Sequence, residues 1–162
     1  MNVFDSQTKT PISALTRAAE EFSQPQLRRH ELWAVTCYFR PNALRILVSE
    51  LRFRIKLTDI YVLYNYTEDF RYPELADEME KLIAELLDKK INLDFRRIRP
   101  ESGLFHSKGY ALIQKDGQAG DMRDKYLLIT SGNLTDQGLG ITKATSNLEL
   151  SYASNKKKDV QA

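Results

Sequence analysis

The alternation of apolar runs with amphipathic stretches is the feature of this sequence that most constrains its fold. Residues 33–39 and 60–64 are apolar runs of the length and composition typical of buried strands, and residues 91–98 follow as a further strand. Between them, residues 42–51 and 73–90 repeat apolar side chains at helical spacing. A chain in which strands and helices alternate in this way forms an α/β sheet whose strands are at least partly parallel.

The two ends of the chain complete this prediction. A first helix is expected to start with Thr10 as N-cap and Pro11 at its first position. The last third has a different character, because residues 104–114, 125–130 and 148–153 resemble strands and no long helix separates them. We therefore predict a mixed β-sheet flanked by helices on both faces.

Composition sets the domain organisation and excludes some classes of protein. With 162 residues, 42% of them hydrophobic, the chain is expected to form a single domain at residues 1–154, followed by a basic flexible tail at residues 155–162. Cys37 is the only cysteine, so no disulfide framework is expected and a cytoplasmic location is favoured. No apolar stretch approaches the roughly 20 residues of a membrane span, so no membrane association is expected. The formal net charge of +2 does not by itself indicate a polyanionic partner.

The first candidate for chemistry is a histidine two residues before a lysine. If residues 104–114 form a strand, its period of two places His106, Lys108 and Tyr110 on one face, with Tyr110 as a substrate contact. An imidazole beside an ammonium is a poor cation site, and His30 has no evident cluster around it, so neither a metal nor another cofactor is expected. The pair suits a phosphodiester, because the ammonium neutralises phosphoryl oxygens while a ring nitrogen attacks phosphorus and forms a phosphohistidine.

The turn after the next strand supplies candidate phosphate-binding groups. Thr130, Ser131 and Asn133 lie around a glycine that permits a tight turn, so that several donors can reach phosphate oxygens. We predict Asn133 as a catalytic residue and Thr130 and Ser131 as substrate-binding residues. On the following strand Glu149 is positioned to accept a hydrogen bond from the second ring nitrogen of the histidine and to fix its tautomer.

These segments together resemble the motifs of the phospholipase D-like (HKD) superfamily, and their residues are most similar to those of its nuclease branch. The segments are His-Ser-Lys at 106–108, Thr-Ser-Gly-Asn at 130–133, Gly-Leu at 138–139 and Asn-Leu-Glu at 147–149. The resemblance implies a phospholipase D-like half-domain with metal-independent phosphodiesterase activity. DNA is the favoured substrate.

Two positions depart from the family pattern. Ile113 stands where the full motif has an aspartate five residues after the lysine, and Thr130 stands where the phosphate turn opens with glycine. Because that aspartate is understood in the family as mainly structural, its absence weakens the match to the lipid-cleaving branch more than it weakens the case for catalysis.

The resemblance also implies that the active site needs two copies of the motif, and this chain contains one. We therefore expect a homodimer in which two sets of His106, Lys108, Asn133 and Glu149 meet across a twofold axis. The less favoured alternative is that the chain is half of a longer polypeptide. His30 precedes the first apolar strand and is a poor substitute for a second catalytic histidine.

The sequence is compatible with three functions. The favoured one is a nuclease, with a helicase or another DNA-targeting protein as a possible partner because no sequence-reading motif is present. The second is a phosphodiesterase acting on lipids or other small diesters. The third is a non-catalytic module that binds nucleic acid or builds an assembly on the same fold.

Basic and aromatic residues are interleaved in two parts of the sequence. They either flank a nucleic-acid groove or form solvated surfaces. The residues are Arg52, Phe53, Arg54, Lys56, Tyr61, Phe95, Arg96, Arg97 and Arg99.

Overall fold

The computed structural model of the protein describes residues 2–5, 10–22, 25–67, 71–99, 106–115, 122–141 and 150–154. The strands are β1 (Asn2–Asp5), β2 (Arg29–Thr36), β3 (Lys56–Asn65), β4 (Asn92–Ile98), β5 (Gly109–Lys115), β6 (Met122–Thr130) and β7 (Leu150–Ser154). The helices with assigned bounds are α1 (Pro11–Glu21), α2 (Pro41–Arg52) and α3 (Leu75–Asp88). None of the described helices is long and apolar enough to cross a membrane.

The strands form one mixed sheet in the order β1-β7-β6-β5-β2-β3-β4. β2, β3 and β4 are parallel neighbours, whereas β5 runs antiparallel to β2, β6 to β5, β7 to β6 and β1 to β7. The predicted α/β class with a mixed sheet is therefore confirmed.

Local sequence explains where α1 begins. Thr10 is its N-cap, and the hydroxyl oxygen of Thr10 accepts a hydrogen bond from the backbone N–H of Ser13 at 3.3 Å. Pro11 occupies the first turn, where a missing N–H costs nothing. The predicted start of this helix is confirmed.

The described helices pack on one face of the sheet, which we call the helix-covered face. Its side chains alternate along the strands with those of the second face, and they join the apolar sides of α1, α2 and α3 in one core. Fully buried strand residues of this core include Leu32, Ala34, Val62, Leu112 and Leu128. On the second face, Trp33 and Ile129 remain 37% and 52% exposed.

The prediction of helices on both faces is therefore wrong for the described part of the chain. The chain passes from β2 through α2 to β3, and from there through α3 to β4, moving in one direction across adjacent parallel strands. Right-handed crossovers made in one direction place their helices on the same face. Helical periodicity predicts a helix but contains no information on this strand order.

The strand predictions of the last third differ from the structure mainly at their ends. β5 starts at Gly109, so His106 and Lys108 precede the strand and do not lie in it as predicted. β6 is longer than the predicted strand at 125–130, and β7 covers most of the one at 148–153. The predicted tail at 155–162 lies outside the described residues.

A buried carboxylate joins the starts of the three parallel strands. Asp59 is 9% exposed, and its two oxygens accept hydrogen bonds from Asn92 at 2.9 Å, Thr58 at 2.7 Å and Arg29 at 3.3 Å. Burial alone would raise the pKa of this carboxyl, but the hydrogen bonds from Asn92 and Thr58 and the charge of Arg29 together hold its pKa below the ordinary value of 3.8.

The lowered pKa of Asp59 makes its contribution to stability dependent on pH. This contribution is present above pH 3.8 and is lost as the pH falls through the folded-state pKa. We expect Asp59→Asn to lower the free energy of unfolding by about 2 kcal/mol at neutral pH. Urea denaturation of both proteins should show this difference shrinking below pH 3.8. Asp88→Asn, at an exposed position, is the control, and an equal loss in both variants at neutral pH would contradict the assignment.

Candidate active site

β2, β3 and β4 all end at the same edge of the sheet, which we call the carboxyl edge. β5 begins at this edge, since Gly109 pairs with Val35 near the end of β2. β6 ends there, and the backbone N–H of Thr130 donates to the carbonyl oxygen of Lys108 at 3.4 Å. Ligands of open α/β sheets bind outside the carboxyl ends of parallel strands, so this edge is the expected place for a site.

His106 and Lys108 are in direct contact at the carboxyl edge. The ammonium nitrogen Nζ of Lys108 lies 3.1 Å from Nδ1 and 3.1 Å from Nε2 of the His106 ring, and it donates to the His106 carbonyl oxygen at 3.2 Å. The His106 side chain is exposed and that of Lys108 is half-buried. The structure thus brings the predicted nucleophile and the predicted cation together and leaves the ring open to solvent.

Asn133 lies in the turn that follows β6, and its amide is held in one orientation. The side-chain oxygen Oδ1 accepts a hydrogen bond from the backbone N–H of Tyr38 at 3.0 Å. Because Oδ1 is engaged in this way, the opposite nitrogen Nδ2 is the atom that can donate to a ligand. The predicted role of Asn133 as a donor is compatible with this geometry.

The turn itself is fixed to the end of β2 by a buried hydroxyl. Oγ1 of Thr36 donates to the carbonyl oxygen of Tyr38 at 2.6 Å and accepts from the backbone N–H of Leu134 at 2.9 Å. The backbone N–H of Arg40 donates to the carbonyl oxygen of Leu134 at 2.9 Å, and Phe39 forms a parallel bridge with Leu134. We call these contacts the Thr36 clamp.

Two glycines allow the turn to pack backbone against backbone. A Cβ atom on Gly132 would lie 2.3 Å from the carbonyl oxygen of Gly138, and one on Gly138 would lie 2.3 Å from the carbonyl oxygen of Asn133. Any larger residue at either position would displace the segment that carries Asn133. Gly138 is also held by a hydrogen bond from its N–H to Oγ1 of Thr135 at 3.1 Å.

Two predicted substrate contacts lie inside the protein. Tyr110 is 1% exposed, and its hydroxyl donates to the carbonyl oxygen of Gly132 at 3.3 Å. Thr130 is 7% exposed, and its hydroxyl oxygen accepts from the N–H of Gly132 at 3.0 Å. Both side chains therefore support the turn from within. Tyr110 does not share a strand face with His106, because β5 starts only at Gly109. Ser131, by contrast, is exposed on the turn.

Glu149, the predicted orienter of the histidine, lies outside the described residues. Its role remains a prediction from the sequence. Within the described part of the chain, no three His, Cys, Asp or Glu side chains gather closely enough to hold a metal ion.

The predicted basic groove is divided by the fold. Residues 52–56 end α2 and enter β3 at the opposite edge of the sheet, where Arg54 pairs with two glutamates. Tyr61 stacks on a tryptophan of the second face, and Phe95 packs against the apolar core. Arg99, which directly follows β4, lies at the carboxyl edge.

Sequence reasoning missed a set of tyrosines that lie near this edge with arginines over their rings. The guanidinium carbon of each arginine lies between 4.5 and 5.4 Å from the centroid of a tyrosine ring. These tyrosine–arginine pairs are Tyr38 with Arg71, Tyr66 with Arg99, and Tyr72 with Arg40. Tyr66, two residues after the predicted strand at 60–64, was the available signal, but the arginine partners follow only from the folded structure.

Comparison of the sequence with protein-family models and with curated proteins gives no match. The function is therefore inferred from the geometry of the carboxyl edge and from the residues it brings together.

The Thr36 clamp predicts a specific loss of stability. Thr36→Val keeps the shape of the side chain but leaves a carbonyl oxygen and an N–H without their partner, so we expect the free energy of unfolding to fall by about 2 kcal/mol. Thr16→Val is the matched control, because the Thr16 hydroxyl donates only to a carbonyl oxygen within α1. Urea denaturation measures both changes, and equal effects of the two substitutions would show that the clamp contributes no special stability.

Proposed function

We propose that the protein is a metal-independent phosphodiesterase of the phospholipase D-like type, most simply a nuclease that cleaves DNA through a phosphohistidine on His106. The observation that carries this proposal is the contact between Lys108 Nζ and the His106 ring, beside the turn that presents Asn133. An exposed imidazole, an adjacent ammonium and a fixed amide donor at one sheet edge form a suitable arrangement for attack on an anionic diester.

In the first step a ring nitrogen of His106 attacks phosphorus, and a P–N bond forms as the P–O bond to one nucleoside breaks. The leaving oxygen takes a proton from an acid on the opposite side of the phosphate. In the second step water attacks phosphorus, the P–N bond breaks and the imidazole is regenerated. Lys108 neutralises the phosphoryl oxygens in both steps, while Nδ2 of Asn133 and the hydroxyl of Ser131 donate to them.

His30 cannot be the proton donor of this mechanism. The chain has two histidines, and His30 is fully buried near the start of β2, where its ring stacks on Phe22 at 5.2 Å. That position is at the opposite end of β2 from the carboxyl edge. A second copy of His106, supplied by a partner subunit, fills the role of acid and then of base, as the resemblance implies.

The remaining group of the proposed mechanism is Glu149. A carboxylate that accepts a hydrogen bond from the distal ring nitrogen of His106 would fix its tautomer and stabilise the imidazolium character of the phosphohistidine. This role rests on the sequence alone, and the phospholipase D-like half-fold rests on the resemblance.

The proposal predicts DNA cleavage in excess EDTA that depends on His106. We expect His106→Ala to lower kcat by about a thousandfold or more, since it removes the nucleophile. Lys108→Met should lower kcat by about a hundredfold, because it removes one charge-stabilising group. Lys56→Met is the matched control, since Lys56 is exposed at the opposite edge of the sheet, and it should leave cleavage unchanged.

The same assay tests the shared site. When wild-type and His106→Ala chains are coexpressed in equal amounts, a site that needs both histidines leaves about a quarter of the wild-type activity, because mixed dimers are inactive. Independent sites would leave about half of it. Undiminished cleavage by His106→Ala, or cleavage that stops in EDTA, would refute the proposed mechanism.

A further inference from the structure

Two of the tyrosine–arginine pairs continue the carboxyl edge away from His106. Tyr38 follows β2, and its backbone N–H holds Asn133, so the ring that pairs with Arg71 at 5.2 Å belongs to a residue in direct contact with the proposed site. Tyr66 follows β3 and pairs with Arg99 at 5.4 Å. The backbone N–H of Tyr66 also donates to the carbonyl oxygen of Ile98 at 3.2 Å, which joins the ends of β3 and β4.

The strand order arranges these pairs in a row. From β5, which follows His106 and Lys108, the sheet continues to β2, β3 and β4. With about 4.8 Å between neighbouring strands, the first pair lies roughly 5 Å and the second roughly 10 to 15 Å across the sheet from β5. A chain molecule whose phosphate lies at His106 would therefore pass first Tyr38 and then Tyr66.

The chemistry of the two pairs suits a strand of nucleic acid. Tyr38 and Tyr66 are half-buried, while Arg71 and Arg99 are exposed. Aromatic rings and guanidinium planes stack on bases, and guanidinium edges donate to phosphates. In a duplex the faces of each base are covered by neighbouring base pairs, so such stacking is available only to unpaired nucleotides.

We infer that the pairs Tyr38–Arg71 and Tyr66–Arg99 form a binding track for an unpaired nucleic-acid strand on one side of the scissile phosphate. The inference rests on the proposed function for the position of that phosphate. It adds a substrate preference, because a track built on stacking selects single strands over duplexes. The Tyr66–Arg99 pair binds nucleotides that lie beyond the one attached to the scissile phosphate.

The test measures binding separately from cleavage. In EDTA, fluorescence anisotropy gives the Kd of His106→Ala protein for a labelled single-stranded DNA oligonucleotide and for the corresponding duplex. In this His106→Ala background, a second substitution, Tyr66→Ala or Arg99→Gln, should raise the Kd for the single strand about tenfold, since one stacking contact is lost. The duplex Kd should change little on Tyr66→Ala. Arg99→Gln, at an exposed position, keeps the test valid if Tyr66→Ala fails to fold.

The matched controls are Phe53→Ala and Arg52→Gln. Phe53 is an exposed aromatic residue and Arg52 an exposed basic residue, and both lie at the opposite edge of the sheet. Neither substitution should change the Kd for the single strand. Equal binding by the Tyr66 and Arg99 variants and by the controls would overturn the inference. So would a wild-type preference for duplex, or no binding of single strands.

Failure of the proposed function can be distinguished from failure of this inference. Hydrolysis of bis(p-nitrophenyl) phosphate by the wild-type protein tests the His106 chemistry on a diester too short to reach Tyr66. If this diester and DNA both remain uncleaved while the Tyr66 and Arg99 variants lose single-strand binding, the binding track stands and the nuclease does not. If cleavage proceeds while those variants bind normally, the nuclease stands and the track is refuted.

Discussion

The rest of the candidate site depends on the two hydrogen bonds of the Thr36 hydroxyl. This hydroxyl is buried between the end of β2 and the turn after β6, two segments separated by 98 residues, and it satisfies a backbone group of each. Because Leu134 is fixed in this way, the neighbouring Asn133 reaches the N–H of Tyr38. Loss of the clamp would leave buried polar groups without partners and would release the Asn133 amide from its orientation.

The topology explains why the same edge contains both His106 and the tyrosine–arginine pairs. β2, β3 and β4 are parallel and end together, and the antiparallel β5 begins where they end. His106, Arg71 and Arg99 are exposed at this edge, and Asp59 joins the strands at the opposite end. The Asp59–Arg29 ion pair and the proposed chemistry thus lie at opposite edges of one sheet.

Much of this arrangement follows from the sequence, and the exceptions have physical causes. Strand and helix periodicity predicts the central elements, and the pairing of His106 with Lys108 needs only a spacing of two residues. The position of Tyr110 was inferred from a strand that starts later than expected, so the alternation did not extend to His106. Helix placement and the Tyr66–Arg99 pair depend on strand order, which local patterns do not contain.

The central claim is that His106 carries the phosphoryl group during cleavage, and trapping that group tests it most directly. Wild-type protein would be mixed with DNA carrying ³²P at the scissile phosphates for a single turnover and quenched in alkali, which preserves phosphohistidine. Peptide mapping by mass spectrometry would then locate the label. We expect one labelled peptide, modified on His106, whose label is lost in acid and absent from His106→Ala protein. Label on another residue, or cleavage without any labelled protein, would contradict the account.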